Sequence, residues 1–189
     1  MKELYSLQKR AKKSKKVSAD GSLTLYSEEF GECYHSLRDG ALRESLKKHV
    51  EVAFSLQTKR DTLRILDICF GLGYNTLATL YFLKEHNLKR QIEIISPEFD
   101  KDLVKSLKEF SYPREFEEFE EIIWALSQKG YFESEDLKIK ILFEDARVAL
   151  KSLDQRFDII YQDPFSPKKI PSFGPESTLI SSIKSLQRM

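Results

Sequence analysis

Residues 64–75, RILDICFGLGYN, constrain this chain more than any other stretch. Ile65, Leu66 and Ile68 surround one acid, Asp67, in a short apolar run that predicts a buried strand. Gly71 and Gly73 follow at once, and residues 76–83, TLATLYFL, predict a helix. Strand, glycine turn and helix in that order specify an α/β unit whose turn can approach a ligand closely, because glycine tolerates the tight backbone path. The helix amino end adds unpaired N–H groups above the turn. Asp67, at the strand end, is a candidate acceptor for a ligand amine. Thr76 stands where a dinucleotide fingerprint would place its third glycine. A nucleoside-bearing ligand without a pyrophosphate has less need of that glycine.

The segments downstream repeat the alternation. Residues 91–98, QIEIISPE, predict a second strand that ends at Pro97 and delivers Glu98. The interval from the glycines is somewhat longer than the roughly 20 residues of a dinucleotide fold, yet a carboxylate there is placed to hold both hydroxyls of a ribose. Residues 137–143, LKIKILF, predict a third strand followed by Glu144, Asp145 and Arg147. Asp145 is either an acceptor for an exocyclic amine such as that of adenine or the cap of the helix predicted over 146–153. Residues 157–161, FDIIY, predict a fourth strand that carries Asp163, Pro164, Phe165 and Ser166 to the same edge. Helices are expected at 38–58, 99–110 and, with an acidic face, over most of 113–130, where Phe116, Phe119, Ile122, Ile123 and Trp124 are expected to pack. In an open parallel sheet, ligands bind beyond the carboxyl ends of the strands. Asp67, the two glycines, Glu98, Asp145 and Asp163 all fall there.

Composition narrows the class. Thirty-one Lys and Arg against 30 Asp and Glu leave a net charge of +1, which does not announce a nucleic-acid binder but allows a local basic face. The basic residues gather in 1–19, where Lys9, Arg10, Lys12, Lys13, Lys15 and Lys16 predict a flexible arm, either solvated or resting on RNA phosphates. Residues 20–189 are expected to form a single domain. Within them, Tyr26, Phe30, Tyr34 and His35 crowd into ten positions, as a packed edge or as a lid over a ligand. Two cysteines, Cys33 and Cys69, are too few for a disulfide framework, and His35 lacks partners at metal-ligand spacing, so no metal is expected. No apolar run approaches the length of about 18 residues that a membrane span needs, and the amino end is no secretory signal. A cytoplasmic protein is expected.

LDICFGLGYN, EDAR at 144–147 and DPFSP at 163–167, preceded by TLYSEEFGECYHS and DGA, together resemble one methyltransferase family. It is the S-adenosylmethionine-dependent part of the enzyme that makes 5-methylaminomethyl-2-thiouridine in transfer RNA, with its stand-alone relatives. The resemblance covers roughly residues 20–170. It implies a Rossmann-like class I methyltransferase core with a mostly parallel sheet, S-adenosylmethionine as cofactor, and tRNA as substrate through the 5-aminomethyl group of the wobble uridine. It further implies that Tyr26 to His35 border the cleft. By the same resemblance Gly71 and Gly73 form the loop on the cofactor's methionine side, Glu98 holds the ribose, Asp145 meets the adenine, and Asp163 stands beside the substrate amine. Pro164, Phe165 and Ser166 would shape the acceptor pocket, with His35 near it.

Two departures from the pattern carry consequences. Cys69 stands where the family's loop opens with a glycine, which reduces backbone freedom. Ile170 and then PSFGPEST follow Lys169, and the sequence then ends at Met189 without the further strands of a class I methyltransferase. A parallel edge would be left exposed, so self-association or a covering partner is expected, and the activity of this short chain is less certain than its ancestry. The rival readings are a methyltransferase of another acceptor, a truncated non-catalytic cofactor-binding module, and an NAD-dependent oxidoreductase.

Overall fold

A computed structural model of the chain describes residues 12–56, 61–163 and 165. Its first element, β1 (Lys13–Val17), pairs antiparallel with β2 (Leu23–Ser27), which pairs with the short β3 (Glu32–Cys33). This corrects the expectation of a flexible arm over 1–19 in its second half. The lysines of KSKKV do not prevent pairing, because the strand sits at a sheet edge where Lys15 and Lys16 stay exposed and deter further pairing. Lys13 reaches Asp100 at 2.6 Å and so fastens this small sheet to the main domain. Residues 1–11 lie outside the described residues.

A helical stretch follows, but not as the single regular helix predicted over 38–58. It consists of α1 (Ala41–Glu44), a π-helical turn Ser45–Val50 and α2 (Glu51–Leu56). Its amino end is capped from the first hairpin: the Ala41 N–H donates to Ser22 Oγ at 3.0 Å, and the Arg43 N–H to Asp20 Oδ2 at 2.9 Å. These bonds satisfy donors that a helix start leaves unpaired.

The main sheet is built from β4 (Thr62–Ile68), β5 (Gln91–Pro97), β6 (Tyr131–Glu133), β7 (Leu137–Leu142) and β8 (Ile159–Gln162), in the spatial order β6-β7-β5-β4-β8. All of its pairings are parallel except that of β6, which runs antiparallel to β7. The connections carry α3 (Tyr74–Glu85), α4 (Lys101–Ser106), α5 (Glu120–Lys129) and α6 (Ala146–Ser152). A 3-10 turn, Arg114–Phe119, leads into α5, so the region expected as mostly helical is wound more tightly at its start.

β4 lies at the centre. Leu63, Ile65, Leu66 and Ile68 have no exposed surface, which is why the run is apolar on both faces. Ile65, with Ile94, Ile139 and Ile159, packs on the side of α3 and the π turn, while Leu66, Ile68 and Ile95 pack against Ala146, Leu150 and Phe157. Helices therefore cover both faces of a mostly parallel sheet, the expected α/β class. Phe116, Phe119 and Ile123 are buried, whereas Trp124 is 56% exposed. Among the described residues the sheet ends at β8. The strands expected to be missing concern residues outside the described ones. No described helix is long and apolar enough to cross a membrane.

Candidate functional site

The loop after β4 is shaped by three consecutive demands on its backbone. Gly71 and Gly73 lie at φ 54° and 74°, and Cys69 adopts φ 68° although it is not glycine. Left-handed backbone costs a non-glycine residue about 1–2 kcal/mol, so the cysteine meets the geometry of the turn at the expense of strain. A Cβ added at Gly71 would lie 3.3 Å from the Tyr34 ring, and one at Gly73 would meet Phe70 at 2.8 Å. The Tyr34 ring thus stands over the open side of the loop.

Glu98 anchors the loop to the end of β5. It is 6% exposed and accepts the Gly71 N–H at 2.8 Å and the Asp100 N–H at 2.8 Å, one on each oxygen. Burial raises its pKa, and these two backbone bonds oppose the rise. A carboxylate has about four lone-pair sites, so each oxygen keeps capacity for a hydroxyl. Asp67 is placed differently. It is 1% exposed, and its oxygens take the Thr76 hydroxyl at 2.9 Å and the Asn75 amide at 3.4 Å. Burial pushes its pKa up to about 7. The acid read as an acceptor for a ligand amine thus also braces the start of α3. The neighbouring Asn75 Oδ1 is buried and has no hydrogen-bond partner, which leaves an acceptor beside it for such an amine. Asp145 caps α6 through the Arg147 N–H at 2.8 Å and also pairs with the Arg147 guanidinium, whose hydrogen bond holds its pKa low. Its cap role is present, and any contact with adenine would share that carboxylate with Arg147.

Asp163 follows β8 and meets groups from three elements. His49 Nε2 on the π turn lies 3.6 Å from its Oδ2, His35 Nδ1 lies 3.9 Å from the same oxygen, and the Asn75 amide of α3 lies 3.5 Å from it. Burial works to raise the Asp163 pKa, but His49, and then the charge of His35, bring it below the ordinary value. His35 is 8% exposed, and its Nδ1 has no hydrogen-bond partner; Glu44 stands 3.7 Å away. Burial works against the Glu44 charge as well, yet its partners His35, Lys48 and the Ser36 N–H draw its pKa down to about 2. Phe165 stacks on Phe30 at 4.3 Å and meets Tyr34 edge-on at 4.8 Å, so an aromatic wall borders the loop. Pro164 and Ser166 lie outside the described residues.

The structure sharpens one reading and adds one residue. Tyr34, rather than Tyr26, is the tyrosine on the glycine loop; Tyr26 is half-buried on β2 opposite Cys33. His49 falls within the helix predicted over 38–58, where nothing in the sequence sets it apart, and the π turn directs it inward. No signal in the sequence marks that turn.

The arrangement favours a cationic, nucleoside-bearing ligand. The Cys69 thiol is pushed up by burial and then by Glu98, Asp67, Asp145 and Asp163. Acids at four strand ends therefore bear on one loop residue through their charge. Like charges gathered in this way destabilise one another unless positive charge joins them. S-adenosylmethionine carries a sulfonium and an ammonium beside a ribose diol. The open side of the loop, the spare lone pairs of Glu98 and the unpaired Asn75 Oδ1 suit those groups. Among the described residues no three of His, Cys, Asp and Glu are grouped to hold a metal ion. A cavity of about 590 Å³ lined by Tyr112, Phe116, Trp124 and Glu120 lies in the α5 region, apart from these acids.

Comparison with known proteins points the same way. Residues 112–187 match a family described as S-adenosyl-L-methionine-dependent methyltransferase. The chain is 33% identical over 170 residues to the tRNA 5-methylaminomethyl-2-thiouridine biosynthesis bifunctional protein MnmC of Campylobacter jejuni, covering 84% of this chain and 27% of that protein. It is 28% identical over 156 residues to an uncharacterized protein of Methanocaldococcus jannaschii, covering 81% of this chain and 42% of the other. The crystal structure of MnmC2 from Aquifex aeolicus superposes with a TM-score of 0.79 at 35% identity, over 95% of this chain and 58% of that one. The chain spans less than half the length of both curated relatives.

Proposed function

Because the chain belongs to the S-adenosyl-L-methionine-dependent methyltransferase family, we propose that it methylates the 5-aminomethyl group of the tRNA wobble uridine in the cytoplasm, converting 5-aminomethyl-2-thiouridine to 5-methylaminomethyl-2-thiouridine. The observation that carries this reading is the glycine loop held by Glu98, with Asp163 beyond the neighbouring strand in contact with His35, His49 and Asn75. When bound, S-adenosylmethionine supplies a methyl group on a sulfonium for in-line transfer to a nucleophile. Glu98 holds the ribose hydroxyls, the Gly71 and Gly73 turn admits the methionine portion, and Asn75 Oδ1 accepts from its ammonium. Phe165, Tyr34 and Phe30 form an apolar wall for the uracil ring, with His35 behind the acceptor. Asp163, held ionised, accepts N–H bonds from the substrate amine and orients its nitrogen.

Single-turnover transfer of labelled methyl to tRNA bearing or lacking the aminomethyl group tests the proposal. Label is expected only in the aminomethylated RNA. Binding of the cofactor with no labelling of either RNA would overturn the tRNA acceptor and leave a methyltransferase of another substrate; binding of NADH instead would overturn the methyltransferase reading.

A further inference from the structure

We propose that His49 is the proton-holding partner of Asp163, a catalytic base through which the substrate amine is delivered in its neutral, nucleophilic form. The inference rests on the acceptor assignment above. A π turn, Ser45–Val50, interrupts what would otherwise be one helix, and π turns are frequent at functional sites. It carries His49 inward, where the side chain is 15% exposed and Nε2 lies 3.6 Å from Asp163 Oδ2. The ring meets Tyr161 edge-on at 5.9 Å, and the Tyr161 hydroxyl is fixed against Thr79 Oγ1 at 3.0 Å.

The charged and titratable groups facing His49 are Asp163 beyond β8, Asp67 on β4, Glu44 on the preceding turn and Tyr161. His35 faces the same Asp163 oxygen. The helix's own lysines are engaged elsewhere, Lys47 with Glu51 and Lys48 with Glu44 and Asp39. Burial works to lower the His49 pKa, but Asp163 outweighs it and the imidazole titrates above its ordinary value.

The chemistry requires such a group. An alkylamine titrates near lysine, at about 10.4, and is mostly protonated at neutral pH. Asp163, whose pKa is depressed, is a weak base toward it, whereas an imidazole titrates closer to the working pH. One N–H bond of the ammonium breaks and its electron pair remains on nitrogen as the lone pair that attacks. The proton bonds to neutral His49 Nε2, and Asp163 stays ionised beside the resulting imidazolium.

The test compares wild type with His49→Gln in single-turnover methylation of aminomethylated tRNA from about pH 6 to 10, with calorimetry of cofactor binding and NMR titration of the imidazoles. The wild-type rate is expected to level off once His49 is neutral. The variant should be about 10–100-fold slower near pH 7, climb with the amine's own titration and approach wild type near pH 10, with cofactor affinity unchanged. The His49 pKa should be lower in Asp163→Asn than in wild type. Superimposable pH–rate profiles, a deficit equal at every pH, or a His49 titration indifferent to Asp163→Asn would overturn the inference. A wild type that binds cofactor but leaves the RNA unmethylated would instead remove the acceptor assignment and this inference with it.

Discussion

The proposed cofactor side of the site is made of strand ends and backbone, while the proposed acceptor side is made of side chains gathered from distant elements. Glu98 is tied to Gly71 and Asp100 by backbone N–H groups, and Asp67 is tied to α3. These residues lie on or directly beyond parallel strands whose register is fixed by burial on both faces. Asp163, by contrast, meets His35 from the β3 loop, His49 from the π turn and Asn75 from α3. The first kind of construction suits a ligand common to many enzymes; the second can be altered to suit a particular acceptor. The two sides should therefore fail separately when substituted.

The largest effect is expected on the acceptor side. Asp163→Asn should slow methyl transfer about 10²–10⁴-fold near pH 7, with partial recovery toward pH 10, where more amine arrives unprotonated, and little change in cofactor affinity. Single-turnover rates beside calorimetry on the same samples check this. A loss of cofactor binding equal to the loss of rate would show the two sides to be one unit.

Next in size is a pH-dependent stability effect on the cofactor side. The folded pKa of Asp67 is raised, from 3.8 to about 7, so the native state holds this proton more tightly than the unfolded chain. The contribution is fully present below 3.8 and is lost as pH rises through about 7. Asp67→Asn, which keeps an acceptor for Thr76, should therefore be more stable than wild type at pH 8, on the order of 2–4 kcal/mol, and nearly equal to it at pH 3.5. Glu44 has the opposite sign: its stabilisation is present above 4.5 and is lost as pH falls toward about 2. Comparing denaturation midpoints of variant and wild type at each pH cancels that common term. A constant difference between the two proteins would contradict the buried-charge reading of Asp67.

The smallest effect belongs to Cys69. Cys69→Gly removes left-handed strain of about 1–2 kcal/mol but adds freedom to the unfolded chain worth roughly 0.5–1 kcal/mol, and it gives up packing against the second core cluster. The net change in unfolding free energy should stay within about 1 kcal/mol, with cofactor binding retained. Equilibrium denaturation resolves a difference of that size, and lost binding would mean that the thiol itself shapes the pocket.

The same contrast explains what could be read from the sequence. The cofactor side was legible because a buried parallel strand writes itself as an apolar run and a tight turn demands glycine, so RILDICFGLG and QIEIISPE placed Glu98 and the loop directly. In the first hairpin the lysines hid β1, since charge density describes solvation and not backbone pairing. The acceptor side was legible only in Asp163, His35 and Phe165. His49 and Tyr34 depend on the π turn and on the docking of one sheet against another, and both are tertiary facts with no local period. Asp67 was found, but its bonds to Asn75 and Thr76 were not, because those residues reach it only once α3 has packed.

Calorimetric titration of S-adenosylhomocysteine into wild type, Glu98→Gln and Asp163→Asn, each shown to be folded by its melting transition, tests the division most directly. Wild type should bind, Glu98→Gln should lose about 1–3 kcal/mol, the scale of a hydrogen bond to a charged group, and Asp163→Asn should bind within about threefold of wild type, which is under 1 kcal/mol. Equal losses in both variants, or a folded wild type that does not bind, would contradict it.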